Sequence, residues 1–242
     1  MFINSNLSDC RLLVVIENQK DINDLLINTV NFTKLINVEI KLLFVIGPTH
    51  LNASENPLVF IKMVEDEISK IDSKLKKITD IIFEQEKISV DWKVDFGKLK
   101  TVVKSYIKEV NPQIVLVNNS SRKKRAWANK VIPNYLEDFK GPIIITNEKN
   151  TTLPKSELKL GCFGPEVFSK ENKVIQKLLK GSSLPIYVYL SFTNAFRKKL
   201  RKIKNIFENE IKIFEFQTQN QSQGILKYLN YSSPFIFFYL LF

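Results

Sequence analysis

Residues 99–117 read LKTVVKSYIKEVNPQIVLV. Apolar residues recur at helical spacing from Leu99 to Val110, which predicts an amphipathic helix. The pair Asn111-Pro112 ends that helix, because proline disfavours the helical conformation in the residue before it. The run from Ile114 to Val117 is then continuously apolar, as in a strand that helices cover on both faces. A helix that leads into such a strand is the repeating unit of a parallel α/β sheet.

The same alternation extends in both directions from this unit, through residues 11–146. Five strands are predicted: Arg11–Ile16, Val38–Ile46, Ile88–Phe96, Ile114–Val117 and Ile143–Thr146. Helices are predicted between them: from Asp21, as the capping residue, to Ile36, from Pro57 to Ile82, from Leu99 to Val110, and from Val131 to Phe139. The apolar and polar residues of the third strand alternate, which is typical of a half-covered edge strand. This order predicts a parallel sheet with right-handed crossovers and helices on both faces.

The order of elements begins again after a polar linker at residues 147–157. Four more strands are predicted: Leu158–Phe163, Ile186–Phe192, Ile211–Phe216 and Phe235–Leu241. Helices are predicted at 170–179, 195–208 and 223–229. The shared order with little residue identity favours an old duplication. We expect an α/β protein of two tandem parallel-sheet domains, residues 1–148 and 156–242, the second incomplete because it lacks a fifth strand.

Composition indicates a globular protein that stays in the cytoplasm. Hydrophobic residues make up 44% of the chain, but charged and polar residues interrupt every apolar run before it reaches the length of a membrane-spanning helix. The first residues show no basic segment followed by an apolar core, so no export signal is expected. Cys10 and Cys162 form no metal-binding pattern with the single histidine, His50, and we expect buried, inert thiols. No catalytic residue or metal site is predicted, and the protein is expected not to be an enzyme.

Three segments resemble the universal stress protein family, whose fold is Rossmann-like and belongs with the adenine nucleotide alpha hydrolases. Leu13–Asn18 resembles the family's first strand, Val102–Val117 its helix leading into the fourth strand, and Phe139–Ile145 the approach to its fifth strand. The resemblance covers residues 10–147 by sequence pattern and residues 158–242 by order of elements only. It implies that Glu17, at the end of the first strand, takes the place of the acidic residue that faces adenine.

The family's phosphate-binding pattern, G-x-x-G-x9-G-[ST], is broken in this chain. When the fourth strand and the proline before the fifth strand are aligned with the family, Asn118, Ser121, Asn129 and Lys130 stand where the glycines and the hydroxyl residue would be. Side chains at those positions occupy space that phosphate needs and restrict positive φ, although asparagine tolerates the left-handed region. The resemblance implies ATP or another adenine nucleotide as the cofactor, with weak or absent binding. The residues expected to contribute to such a site are Glu17, Asn118, Ser120, Ser121, Arg122, Asn129 and Lys130.

The function predicted from the resemblance is a non-enzymatic stress-response or regulatory protein. An alternative follows from the net charge of +11: a basic interaction module that binds nucleic acid or an anionic surface. It would use Arg122–Arg125 and the basic helix Arg197–Lys204, although a solvated loop and a sheet-covering helix explain the same residues. Trp92 is expected to pack in the core or at the surface, while Trp127 lies in the basic loop. Because the last predicted strand would otherwise be an exposed edge, we expect an intrachain pseudo-dimer or a homodimer, and a protein partner remains open.

Overall fold

The computed structural model describes residues 10–33, 36–51, 56–118 and 133–146, together with four strands of the second half. The helices are α1 (Ile22–Thr33), α2 (Pro57–Glu86) and α3 (Leu99–Val110). The strands are β1 (Arg11–Ile16), β2 (Glu39–Ile46), β3 (Val90–Phe96), β4 (Ile114–Asn118), β5 (Pro142–Thr146), β6 (Lys159–Phe163), β7 (Ile186–Ser191), β8 (Ile211–Phe216) and β9 (Phe235–Leu240). Short 3-10 helices lie at Gln19–Asp21, Pro48–His50 and Asn134–Leu136.

The strands form one sheet in the order β3-β2-β1-β4-β5-β9-β6-β7-β8. The first five strands are all parallel, which confirms the predicted α/β sheet. From β1 the chain builds outward through β2 to β3, and it then returns to the other side of β1 to form β4. Strand order therefore reverses between β1 and β4, the position at which open α/β sheets bind ligands beyond the carboxyl ends of their strands.

Each central strand contributes side chains to two cores, one on each face of the sheet. On β1, Leu12, Val14 and Ile16 join the cluster that packs against α1 and α2. The intervening Leu13 and Val15 join the cluster that packs against α3. Side chains of a strand alternate between faces, so burial on both faces requires the unbroken apolar run seen in the sequence.

The ends of α2 and α3 follow from local chemistry. The side chain of Asn56 accepts a hydrogen bond from the backbone N–H of Leu58 at 2.9 Å and caps α2, with Pro57 in its first turn. At the other end of α2, Lys87 adopts the left-handed conformation, with φ of 57°. Asn111 does the same after α3, with φ of 48°, and its N–H donates to the carbonyl of Ile107. An asparagine in this conformation followed by a proline ends a helix at minimal cost.

Asp21 lies in the 3-10 helix that directly precedes α1, and the Asn18 side chain caps this 3-10 helix by accepting from the N–H of Lys20 at 3.1 Å. One local prediction is wrong. Within the described residues 133–139, the predicted helix from Val131 is only the 3-10 helix Asn134–Leu136. Pro133 and the Gly141-Pro142 pair leave too few residues between them for a costly helix nucleus to be extended.

In the second half, the order β9-β6-β7-β8 repeats the order β4-β1-β2-β3 under the alignment of elements made from the sequence. Strand β9 pairs in parallel with β6 and antiparallel with β5, so both of its edges are covered within the chain. The predicted linker and the three predicted helices of this half lie outside the described residues, and the proposed domain boundaries stay a prediction.

Candidate functional site at the carboxyl edge of the sheet

The carboxyl edge of the sheet is formed where β1 to β5 end. At the reversal point, Val15 of β1 pairs with Val117 of β4, which places the residues that follow, Glu17 and Asn118, at neighbouring strand ends. Adjacent strands lie about 5 Å apart. Thr146 pairs with Asn118 across β4 and β5 and completes this edge. The structure therefore places two of the predicted site residues, Glu17 and Asn118, on adjacent strand ends.

The phenol of Tyr135 lies close enough to the carboxyl group of Glu17 for Glu17 to affect its pKa. Tyr135 belongs to the 3-10 helix between β4 and β5, and its ring packs against the cluster on the α3 side of the sheet. Although the residue keeps some exposure, burial of its hydroxyl raises the pKa of Tyr135 well above the ordinary value. The negative charge of Glu17 and the hydrogen bond to it raise that pKa further.

Asn118 presents an amide whose two polar atoms are both buried. Neither its oxygen nor its nitrogen has a hydrogen-bond partner among the described residues. Strand alternation puts this side chain on the face of Leu116, which packs against α1, and so on the opposite face from Tyr135. A buried polar group without a partner costs on the order of 1 to 3 kcal/mol. The amide offers one acceptor and two donors to a group that enters this edge.

Thr146 is also buried at this edge, but its hydroxyl has a partner. It donates to the carbonyl of Val117 at 3.4 Å, on the strand next to its own. A threonine hydroxyl retains two acceptor lone pairs when it donates one bond. Thr146 and Asn118, which are paired in register, therefore form a polar end to two otherwise apolar strands.

The turn that carries Glu17 is fixed to α2 by side chains at some distance in sequence. The Gln19 amide donates to Glu67 at 2.6 Å, and the Lys74 ammonium donates to the carbonyl of Gln19 at 3.2 Å. These contacts hold the β1–α1 turn on the long helix, while Asn18 caps its 3-10 helix. The contact of Gln19 with α2 could not be predicted from the sequence, because Gln19 and Glu67 belong to two different crossover connections.

The segment that carries Tyr135, residues 133–140, is held against α3. Leu136 and Phe139 are buried in the α3-side cluster. Asp138 pairs with Lys104 of α3, and this hydrogen bond and charge lower the pKa of Asp138 below its usual value. We call this stretch the closing segment. Tyr135 was not predicted as a site residue, because Glu17, the acidic residue near it, precedes it by most of the domain. The available signal was a tyrosine two residues after Pro133, between β4 and β5.

Several predicted residues lie outside the described residues: Ser120, Ser121, Arg122, Asn129 and Lys130 of the loop after β4, Trp127, and the basic helix Arg197–Lys204. Their contribution to a site stays a prediction. Among the residues that are described, Trp92 packs against the α1-side core and its indole N–H donates to Asp72 at 2.8 Å. Cys10 is buried, and His50, the last residue of the 3-10 helix Pro48–His50, is exposed and accepts from the N–H of Gly47 at 3.3 Å.

Two searches over the described part of the chain were negative. No group of three or more histidine, cysteine, aspartate and glutamate residues there is arranged to hold a metal ion. No helix within those same ranges is both long enough and apolar enough to cross a membrane.

Comparison with solved structures identifies the fold. A universal stress protein from Archaeoglobus fulgidus DSM 4304 matches this chain over 97% of both chains, with a TM-score of 0.62 and 13% sequence identity. The fold is that of universal stress proteins. The Lactobacillus plantarum universal stress protein UspA covers 49% of this chain and 85% of its own, with a TM-score of 0.41 and 12% identity. No model of a protein family matches the sequence, and no curated protein does.

The chain is also similar in fold to one domain of a transporter. The cytoplasmic domain of a prokaryotic cation chloride cotransporter matches 96% of this chain and 95% of that domain, with a TM-score of 0.51 and 13% identity. At such identities the likeness concerns the fold alone. The function must therefore be argued from the residues at the carboxyl edge.

Proposed function

We propose that this protein is a non-enzymatic regulatory protein of the universal stress type, with weak binding of an adenine nucleotide at the carboxyl edge of its first five strands. The observation that carries the proposal is the match of the whole chain to a universal stress protein over 97% of both molecules. Residue chemistry supports the weak binding, since Asn118 replaces the first glycine of the phosphate-binding pattern. We also propose a cytoplasmic location.

The side chains at the carboxyl edge favour ligand binding over catalysis. Its described side chains offer hydrogen bonds: the carboxylate of Glu17, the phenol of Tyr135, the amide of Asn118 and the hydroxyl of Thr146. A hydrolase would require an activated water or nucleophile, usually beside a base or a metal. The carboxyl group of Glu17 instead lies beside a phenol, that of Tyr135, whose pKa it raises. We expect a nucleotide to act as a signal here and to leave unchanged.

Mass spectrometry of the protein purified under native conditions and then denatured tests this proposal. We expect a substoichiometric adenine compound to co-purify, and added ATP to release phosphate no faster than buffer alone. Replacing Asn118 by glycine supplies the family residue and should increase the retained nucleotide. Turnover of ATP, or complete absence of binding with no thermal shift for either protein, would contradict the proposal.

The second candidate function, a basic interaction module, is favoured by the run Arg122–Arg125 that follows β4 at the same edge. Salt separates the two candidates. Binding that neutralises several phosphates of a nucleic acid loses about a thousandfold or more in affinity between 50 and 200 mM salt. Adenosine binding, which involves no phosphate, should barely change over that range.

We further propose that the chain is a tandem protein that forms its own pseudo-dimer. Strand β9 corresponds in order to β4, and on its outer edge it pairs with β5 of the first half, through Ile144 with Phe238 and Ile145 with Phe237. This antiparallel contact places β5 beside β9, as β5 lies beside β4 in the first half. A free strand edge invites pairing with another chain, so its coverage within the chain favours a monomer.

A further inference from the structure

Among the residues that the structure describes, Asn118 alone has side-chain polar atoms that are buried and without a hydrogen-bond partner. The residue as a whole keeps some exposure, so the amide lies just beneath the surface of the carboxyl edge. Native proteins pair nearly all buried polar groups, because each one left unpaired costs free energy. The position of this amide, where the strand order reverses, favours a ligand as its missing partner.

The neighbours of Asn118 on the two adjacent strands do not satisfy its amide. Ile16 of β1, which follows the partner of Val117, is apolar and buried in the α1-side core. Thr146 of β5 pairs with Asn118 in register, but its hydroxyl donates to the carbonyl of Val117. Since a hydroxyl has a single proton to donate, Thr146 has none left for the amide oxygen. The amide therefore keeps both its acceptor and its donors for another group.

The chemistry of an amide restricts which group can pair with it. It carries an acceptor beside a donor, so it forms two hydrogen bonds with a group that presents a donor beside an acceptor. Adenine presents such a pair in its 6-amino group and the adjacent ring nitrogen, and asparagine is a common partner of adenine in nucleic-acid recognition. A phosphate chain presents oxygen acceptors and would leave the amide oxygen unpaired. The amide thus fits the base of a nucleotide better than its phosphates.

We propose that Asn118 determines the specificity of the carboxyl edge by pairing, through its amide, with the 6-amino group and adjacent ring nitrogen of an adenine nucleoside. This inference rests on the proposed function and names the part of the ligand that is recognised. The residue that replaces the first glycine of the phosphate-binding pattern then recognises the base. Affinity depends on the 6-amino group, and the phosphates contribute little.

The decisive variant is Asn118→Leu, which keeps nearly the same size and removes the amide. Leucine is more informative than glycine, because glycine would remove the amide and open space for phosphate at the same time. The probes are adenosine and purine riboside, which lacks only the 6-amino group. We expect the wild type to bind adenosine about tenfold more tightly than purine riboside, close to the value of one hydrogen bond. Asn118→Leu should bind the two nucleosides about equally, and isothermal titration calorimetry gives the four dissociation constants.

A matched control makes the result specific. Asn28 is a buried asparagine in the middle of α1, and Asn28→Leu makes the same chemical change there. This variant should keep the preference of the wild type for adenosine. An unchanged preference in Asn118→Leu would overturn the proposal, because another group would then recognise the amine. Equal binding of both nucleosides by the wild type would also overturn it.

A measurement without ligand tests the unpartnered amide itself. Replacing it by an apolar group of similar size removes the cost of a buried polar group. Asn118→Leu should therefore raise the melting temperature of the ligand-free protein by about 2 to 4 °C. Asn118→Val, whose smaller side chain suits a strand, checks that the fit of leucine does not decide the result. A lower melting temperature in both variants would show that the amide is paired within the protein, and would overturn the proposal.

The same titrations separate this inference from the function on which it rests. If the wild type binds ATP or adenosine but its affinity does not depend on the 6-amino group, the role of Asn118 is wrong while the proposed function stands. If none of the proteins binds adenosine or ATP, the proposed function is wrong and the specificity of Asn118 is wrong with it.

Discussion

At the scale of single residues, the entry into β5 depends on a glycine that the chain packs against closely. A Cβ atom at Gly141 would lie 2.7 Å from the carbonyl oxygen of Gln113 and 2.5 Å from the ring of Phe139. Gln113 cannot move away easily, because its side chain accepts from the N–H of Arg11 at 2.6 Å and its own N–H donates to the carbonyl of Arg11 at 3.0 Å. The close packing of Gly141 against Gln113 and Phe139 therefore holds together β1, the start of β4 and the closing segment.

We predict that Gly141→Ala lowers the free energy of unfolding by about 1 to 3 kcal/mol, as overpacking of a rigid site does. Gly47→Ala is the matched control. A Cβ there meets nothing nearer than 3.8 Å, and φ of −74° suits alanine. Alanine at such a site is neutral or stabilising by up to about 1 kcal/mol. Urea denaturation measures both variants, and equal stabilities would show that the β4–β5 connection is less tightly packed than described.

Single residues of the site were only partly predictable. The place of Glu17 followed from the end of a buried strand, and the place of Asn118 followed from the next strand in the sheet. The nearness of Tyr135 to Glu17 did not follow, because it depends on the angle at which the closing segment returns to the sheet. The unpartnered state of the Asn118 amide also arises from three-dimensional packing.

At the scale of elements, the long helix α2 is buried along only part of its length. Its buried residues, Ile71, Leu75 and Thr79, lie in the second half of the helix, over β3. Leu58, near the start, is 76% exposed, whereas Leu75 is completely buried. The same residue type therefore occupies two different environments on one helix.

We predict that Leu75→Ala destabilises the protein by about 2 to 5 kcal/mol, the cost of a cavity in a core. Leu58→Ala makes the same chemical change in the same helix and should alter stability by less than about 0.5 kcal/mol. Leucine and alanine differ in helix propensity by only a few tenths of a kcal/mol, so most of the difference between the two variants reports burial. A loss of similar size in both, measured by thermal or urea unfolding, would mean that Leu58 is covered in solution.

Elements were the most predictable level of this structure. The bounds of β1, α3 and β8 agree with the sequence patterns, and the other strands differ by one or two residues at their ends. Continuous apolar runs and Asn-Pro or Gly-Pro breaks determine these elements locally. The closing segment was mispredicted as a helix because its amphipathic pattern is local, whereas its actual conformation is set by Pro133 and by its attachment to α3.

At the scale of the whole molecule, the antiparallel contact of β9 with β5 joins the two sets of parallel strands into one sheet. From the sequence, we predicted that another strand must cover the edge of the last strand. Whether that strand belongs to the same chain or to a second chain was left open. The order of strands and helices along the chain does not specify which strand edges pair, because the pairing of distant strands depends on the geometry of both halves. The pseudo-dimer proposed above makes the oligomeric state a direct test.

We predict that the wild type is a monomer of 28.1 kDa by light scattering during gel filtration. Phe237 pairs with Ile145 of β5 and with Gly161 of β6, so proline at this central position removes a ladder hydrogen bond and clashes with the neighbouring strand. Phe237→Pro should expose the edge of β5 and yield dimers or larger species, while Phe237→Ala, which keeps the backbone N–H, should remain far closer to the monomer. A dimeric wild type would show that a second chain covers a strand edge. A monomeric Phe237→Pro variant with unchanged stability would show that the edge of β5 needs no cover. Either result would remove the basis for a pseudo-dimer.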